Sequence, residues 1–101
     1  MSTLHVLSHS PFTDSRLSSC LRLLGPQDGL LLCGDATYAL TDSTAPLQAL
    51  QALHDQGANP LFVLEEDIQA RSMAAPEWVE VVDYPGFVAL SVRYDKVNTW
   101  L

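Results

Sequence analysis

Asp28-Gly29-Leu30-Leu31-Leu32-Cys33-Gly34-Asp35 is the stretch on which the fold turns. Three consecutive leucines opened by Asp-Gly and closed by Gly-Asp leave neither alternate side chain for water, the pattern of a strand buried on both faces. Such strands belong to parallel sheets, whose neighbours in sequence reach one another only through helical crossovers. The flanking segments should therefore be amphipathic helices leading to further strands. In open parallel sheets contacts and chemistry gather beyond the carboxyl ends of the strands, which puts Cys33, Gly34 and Asp35 on the edge where function is expected.

Working outward, Thr3-Leu4-His5-Val6-Leu7 reads as a first strand and Ser8 to Phe12 as the loop leaving it. A helix starts at Asp14, carries Leu17, Cys20, Leu21 and Leu24 as one apolar stripe, and stops at Gly25-Pro26. After the central strand, Ala36 to Leu40 is expected as a short helix capped by Asp35. Pro46 suits the first turn of the next helix, whose inner face is Leu47, Leu50, Leu53 and His54 and which ends at Gly57. Pro60 to Leu64 is the third strand, and Glu65-Glu66-Asp67 favours the amino terminus of a helix running through Met73. Trp78 to Val82 gives a fourth strand. Asp83 caps a last helix bearing Phe87, Leu90 and Tyr94, followed by a tail from Asp95 to Leu101. Four alternating strand and helix units over residues 1–101 predict a single α/β domain, a mainly parallel sheet with helices on both faces.

Composition narrows the function. The 101 residues are 48 % hydrophobic and include twelve acids against five bases, a formal charge of -7. Phosphate binding rests on clustered Lys and Arg, so direct binding of nucleic acid or of an anionic membrane by this chain alone is disfavoured. No basic leader with an apolar core opens the sequence, and no run approaches the roughly 20 apolar residues of a membrane span, which predicts a cytoplasmic protein. There, Cys20 and Cys33 are expected as free thiols.

The chemistry-bearing residues do not combine into a familiar engine. His5 and His9 stand about 13 Å apart along an extended chain, too far to share an ion without a sharp bend, and no metal or other cofactor is expected. Ser8-His9-Ser10 beside Asp14 has triad residue types but no Gly-x-Ser-x-Gly elbow. No Gly-x-Gly-x-x-Gly follows the first strand. Cys33 reads as a core residue. Cys20 has two readings, a packed core thiol or a reactive one whose pKa is lowered by Arg16 one turn earlier. Tyr84, Phe87, Tyr94 and Trp100 either complete the core or anchor a partner, since aromatic side chains carry interfaces.

Ser10-Pro11-Phe12, Ser19-Cys20-Leu21, Leu30 to Leu32 leading to Asp35, Tyr38-Ala39-Leu40, Val63-Leu64 with Asp67 and Ala70-Arg71, Val82-Asp83-Tyr84, Gly86-Phe87-Val88 and the final Trp100-Leu101 together resemble the DsrH/TusB family of sulfur-relay subunits. The resemblance runs the whole length. It implies a DsrE-like fold and a cytoplasmic heterohexamer with TusC/DsrF-like and TusD/DsrE-like sister subunits. The complex would pass persulfide sulfur toward 2-thiolation of the tRNA wobble uridine or, in DsrH-type members, serve dissimilatory sulfur oxidation. It also implies that the main sulfur-carrying cysteine lies on a sister subunit, so this chain is chiefly an assembly partner; with the aromatic residues of the last quarter, the expected partner interface is Tyr84, Phe87, Tyr94, Trp100 and Leu101. Cys20 matches a position where DsrH-type members carry a cysteine and is the candidate sulfur acceptor. Ala36 and Ser72 depart from the pattern at positions where glycine is common, which puts local turns in question.

Overall fold

The computed structural model describes residues 1–57 and 59–100. The strands are β1 (Thr3–Leu7), β2 (Gly29–Leu32), β3 (Leu61–Leu64), β4 (Glu80–Val82) and β5 (Lys96–Trp100), and the α-helices are α1 (Arg16–Leu23), α2 (Ala45–Asp55), α3 (Glu65–Ala70) and α4 (Tyr84–Arg93). A 3₁₀ helix, Gly34–Leu40, follows β2. All strand pairs are parallel, in the order β4-β3-β2-β1-β5. The leucine-rich run is the central strand, and every residue of Gly29–Leu32 is buried. This is the α/β architecture that the run demands.

Alternation along the strands divides the core in two. Leu7, Leu30, Leu32, Leu61 and Val63 meet Leu17 and Cys20 of α1, Leu50 of α2 and Ile68 of α3 on one face. Leu4, Val6, Leu31, Phe62, Leu64 and Val82 meet Leu90 of α4 on the other. Helices thus cover both faces, unequally: α4 is the crossover from the β4 edge to the β5 edge and covers the second face without another helix among the described residues. Burying one such leucine contributes roughly 1.5–3 kcal/mol, so the paired clusters supply most of the drive to fold.

Several details depart from expectation, among them the start of α1 at Arg16 instead of Asp14. The segment expected as a tail is β5, which pairs with β1 from Thr3↔Lys96 to Leu7↔Trp100 and makes five strands. Its four leading residues are exposed, so it shows none of the apolar pattern that announces a strand; pairing with β1 supplies what the pattern lacks. The 3₁₀ helix begins at Gly34 and has no side-chain cap bond, because Asp35 turns to Arg71 instead. β4 is shorter than Trp78 to Val82, since Trp78 lies in the preceding turn. Finally, α3 stops at Ala70 instead of running to Met73. There the chain closes a Schellman turn, with Met73 N–H donating to Ile68 O and Ser72 N–H to Gln69 O. Ser72 sits in the left-handed region at φ 53°, which explains why this is a position suited to glycine. Ala36, the other departure, is buried within the 3₁₀ helix.

Asp83 caps α4 as expected, accepting from Gly86 N–H at 2.8 Å. Gly57, at φ 73°, follows the end of α2. Within α2, Leu50 is buried and Leu47 and Leu53 are partly so, while His54 is exposed and stacks on Trp78 with ring centroids 5.2 Å apart. One face of Gly29 explains its lack of a side chain: a Cβ there would lie 2.2 Å from the Tyr94 hydroxyl.

Candidate functional site

At the carboxyl edge of the sheet, β2 delivers Cys33 to the start of the 3₁₀ helix. Gly34 turns the chain at φ 52°, with Ser8 O 3.2 Å from where a Cβ would stand. The turn is held from α3, where Asp67 Oδ2 accepts from Gly34 N–H at 2.7 Å. Arg71 reinforces it by donating to Asp35 Oδ1 at 2.8 Å and to Asp67 O at 3.1 Å, with its guanidinium 5.7 Å from the centre of the Tyr38 ring. Two of the strand-end acids therefore build a turn, which accounts for them without a bound ligand. Cys33 lies among these groups, its thiol donating to Leu7 O at 3.4 Å. Burial pushes that thiol's pKa up, Asp67 pushes it further, and Arg71 pulls the other way without prevailing.

Cys20, the candidate sulfur acceptor, is fully buried on the inner face of α1. Burial, aided by the nearby Asp28 carboxylate, pushes its pKa to about 12. Arg16 does not set its charge state; that side chain pairs with Asp14. A thiol at this value has almost no thiolate at neutral pH, and the thiolate is the nucleophile.

A polar network that the sequence did not signal surrounds Asp28. Its carboxylate accepts from Thr3 N–H at 2.9 Å, from Gly25 N–H at 2.8 Å and from His5 Nε2 at 3.1 Å. Its main-chain oxygen accepts from Asn59 Nδ2 at 2.8 Å. Burial raises the carboxyl pKa, but the bonds from Gly25, His5 and Thr3 together outweigh it and the net shift is downward. On the far side of His5, Trp100 Nε1–H donates to Nδ1 at 3.0 Å. His5 had only the look of a polar strand residue, and Asp28 that of a turn former. The missing signal was tertiary: one partner is 23 residues away, the other 95.

The expected interface residues separate. Tyr84 is 53 % exposed, and with Val88 (60 %) and Val92 (80 %) it forms an i, i+4, i+8 stripe on the outer side of α4. Phe87 and Tyr94 are half-buried and pack under α4 against the second face; burial raises the Tyr94 pKa. Trp100 is half-buried against the first face through its bond to His5. Leu101 lies outside the described residues. Among the described residues no three His, Cys, Asp or Glu side chains gather as a metal site would. No described helix is long and apolar enough to cross a membrane.

The chain is thus a small parallel α/β domain with two sheltered thiols, acids committed to turns and an uncovered apolar stripe. Its backbone is shared with the ychN protein from E. coli, with a TM-score of 0.80, 20 % identity and coverage of 99 % of this chain and 100 % of that one. The protein MTH1491 from Methanobacterium thermoautotrophicum is also similar, with a TM-score of 0.70 at 14 % identity over 96 % of each chain. These likenesses concern the fold. Residues 9–97 match the family described as DsrH like protein. Protein TusB of Erwinia tasmaniensis is 39 % identical over 99 residues, covering 96 % of this chain and 99 % of that one, and Protein TusB of Enterobacter sp. (strain 638) is 32 % identical over the same spans. The chain belongs to the DsrH family of sulfur-relay subunits.

Proposed function

We propose that this chain is the TusB-type structural subunit of a cytoplasmic sulfur-relay complex, supporting persulfide transfer toward 2-thiolation of the tRNA wobble uridine. Its role is to be held by TusC/DsrF-like and TusD/DsrE-like sister subunits in a heterohexamer while a sister's cysteine carries the sulfur. The observation that carries this reading is the Tyr84-Val88-Val92 stripe on α4, an apolar row that a lone 101-residue chain leaves in water. The raised pKa values of both thiols support it, since neither is prepared to attack a persulfide. The charge of -7 fits a subunit that leaves tRNA contact to others.

Co-expression with candidate sister subunits, followed by gel filtration, tests the proposal. The wild-type chain is expected to co-elute with its sisters. Val88→Glu and Val92→Glu should abolish co-elution while leaving the thermal midpoint of the isolated chain within a few degrees, because both side chains are exposed. A chain that stays apart from its sisters, or variants that assemble normally, would refute it. The alternative, a DsrH-type carrier with Cys20 as acceptor, requires α1 to open; intact-mass measurement after treatment with a persulfide donor would then show added sulfur that Cys20→Ser removes.

A further inference from the structure

We propose that His5 is a proton-operated latch on the carboxyl-terminal strand, holding Trp100 when neutral and releasing it when protonated. The inference is independent of the sulfur-relay reading. An indole N–H can only donate, so the 3.0 Å contact from Trp100 Nε1 requires an unprotonated Nδ1 on His5. The neutral ring then carries its proton on Nε2, which donates it to Asp28 Oδ2 at 3.1 Å. Both ring nitrogens are thus used, in one tautomer only. A second proton can go only to Nδ1, where it replaces the acceptor with a donor facing another donor. The indole must then turn away. The rings, tilted 44° with centroids 6.1 Å apart, keep only a weak ring contact, and Trp100 is otherwise only half-buried, so the hydrogen bond is the specific hold on the indole.

The surroundings make the change local. His5 is buried, and its new charge would be balanced on the Asp28 side, where the carboxylate is held by Thr3 and Gly25. Protonation therefore strengthens one side of the network while breaking the other. The other ionisable groups near this network are the Cys20 thiol of α1 and Tyr94 beyond α4, both of which feel the Asp28 charge, and Lys96 on β5. Lys96 pairs with Thr3 and Asn98 with His5 itself, so the lysine stands on the same face of the sheet two positions from His5's neighbour. Apart from Trp100, β5 is kept by its backbone ladder with β1 and, at its amino end, by the bonds between Ser2 and Asp95; its other four residues are exposed, and it pairs on one side only, so its carboxyl end has no second side-chain anchor. Loss of the Trp100 anchor loosens the strand from its carboxyl end.

The test uses the full-length chain with nitrogen-15-labelled tryptophan and histidine. The two indoles, Trp78 and Trp100, are told apart with Trp100→Phe. At pH 8 the His5 nitrogens should report the Nε2–H tautomer. As His5 takes up its second proton, the protection factors of the Trp100 indole hydrogen and of the β5 amides, with exchange rates corrected for their intrinsic pH dependence, should fall at least about fivefold, the loss of one net hydrogen bond, while β2 and β3 amides stay protected. His5→Gln, which offers one donor and one acceptor but does not titrate, should remove this pH dependence. The proposal is overturned if the Trp100 indole stays protected while His5 titrates, if His5 does not titrate down to the pH of unfolding, or if all strands lose protection together. Because the wild-type titration alone decides among these outcomes, the test stands even if His5→Gln does not fold.

Discussion

Replacing Asp28 with alanine removes the acceptor for three donors at once: Thr3 N–H, Gly25 N–H and His5 Nε2–H. Hydrogen bonds to a charged acceptor contribute about 1.5–3 kcal/mol each, but the two backbone donors are only partly buried and regain water, so the full loss falls on the buried histidine. Taking about 3 kcal/mol for the histidine and about 0.5 for each backbone donor, the sum is about 4 kcal/mol, a large share of the roughly 5–15 kcal/mol that holds a domain together. Asp28→Asn keeps one acceptor oxygen and should lose about half as much. Urea unfolding followed by circular dichroism reads both variants; with a slope of about 1.5 kcal/mol/M the alanine midpoint falls by roughly 2–3 M. The dependence on pH gives a second check. The folded-state pKa of Asp28 is depressed, so its contribution is complete above the ordinary carboxylate range and is lost as pH falls through the folded value. The gap between wild type and Asp28→Ala should therefore be constant near neutrality and close on acidification below about pH 4. Alanine and asparagine variants both within about 1 kcal/mol of wild type, or a gap that stays open well below about pH 4, would refute the assignment of Asp28 as the hub.

Ser72→Gly should stabilise the chain by about 1 kcal/mol, because a left-handed residue closing the Schellman turn carries a Cβ penalty that glycine lacks; a loss of stability in thermal denaturation would show that the serine is held by something else. Gly29→Ala should cost about 1–3 kcal/mol by driving a methyl into Tyr94, and Gly29→Ala with Tyr94→Phe should recover part of it; equal losses in single and double variants would count against the clash. In a thiol-reactivity assay at pH 8, Cys33 should label before Cys20, and Cys20 should label only at a rate set by opening of the fold; fast labelling of native Cys20 would contradict its burial and its pKa near 12. Arg71→Ala, which breaks the exposed pairing with Asp35, the part-buried bond to Asp67 O and the contact with the Tyr38 ring, should cost about 1–2 kcal/mol in the same unfolding assay.

What could be read from the sequence depended on the range of the interaction. Leu30-Leu31-Leu32 is apolar at every position, and that local fact demands a central parallel strand whatever lies far off. Asp83 before Tyr84-Pro85 announces a cap because its bond reaches only three residues. β5 was missed because Lys96-Val97-Asn98-Thr99-Trp100 becomes a strand by pairing with β1, over ninety residues earlier. The short reach of α3 was foreshadowed by Ser72 standing where glycine is common, although the turn that demands it involves Ile68 and Met73. At the candidate sites, Cys20 was visible by name and spacing, but its charge state depends on burial and on Asp28, eight residues along in the connection to β2. The exposed row on α4 was half legible: Tyr84 was singled out, whereas Val88 and Val92 look like ordinary helix residues until the strand beneath them selects Leu90 and Phe87 for the inside.

The placement of β5 beside β1 has a consequence for how the molecule is made. Of the described elements, β1 is made first yet receives its outer neighbour last, after the other described strands and helices have been synthesised. Until then the backbone groups along the edge of Thr3–Leu7 stand unpaired, a template for any extended segment nearby. A chain truncated just before Lys96 should therefore carry a nearly complete interior and one open seam, prone to borrow a strand from a neighbouring copy.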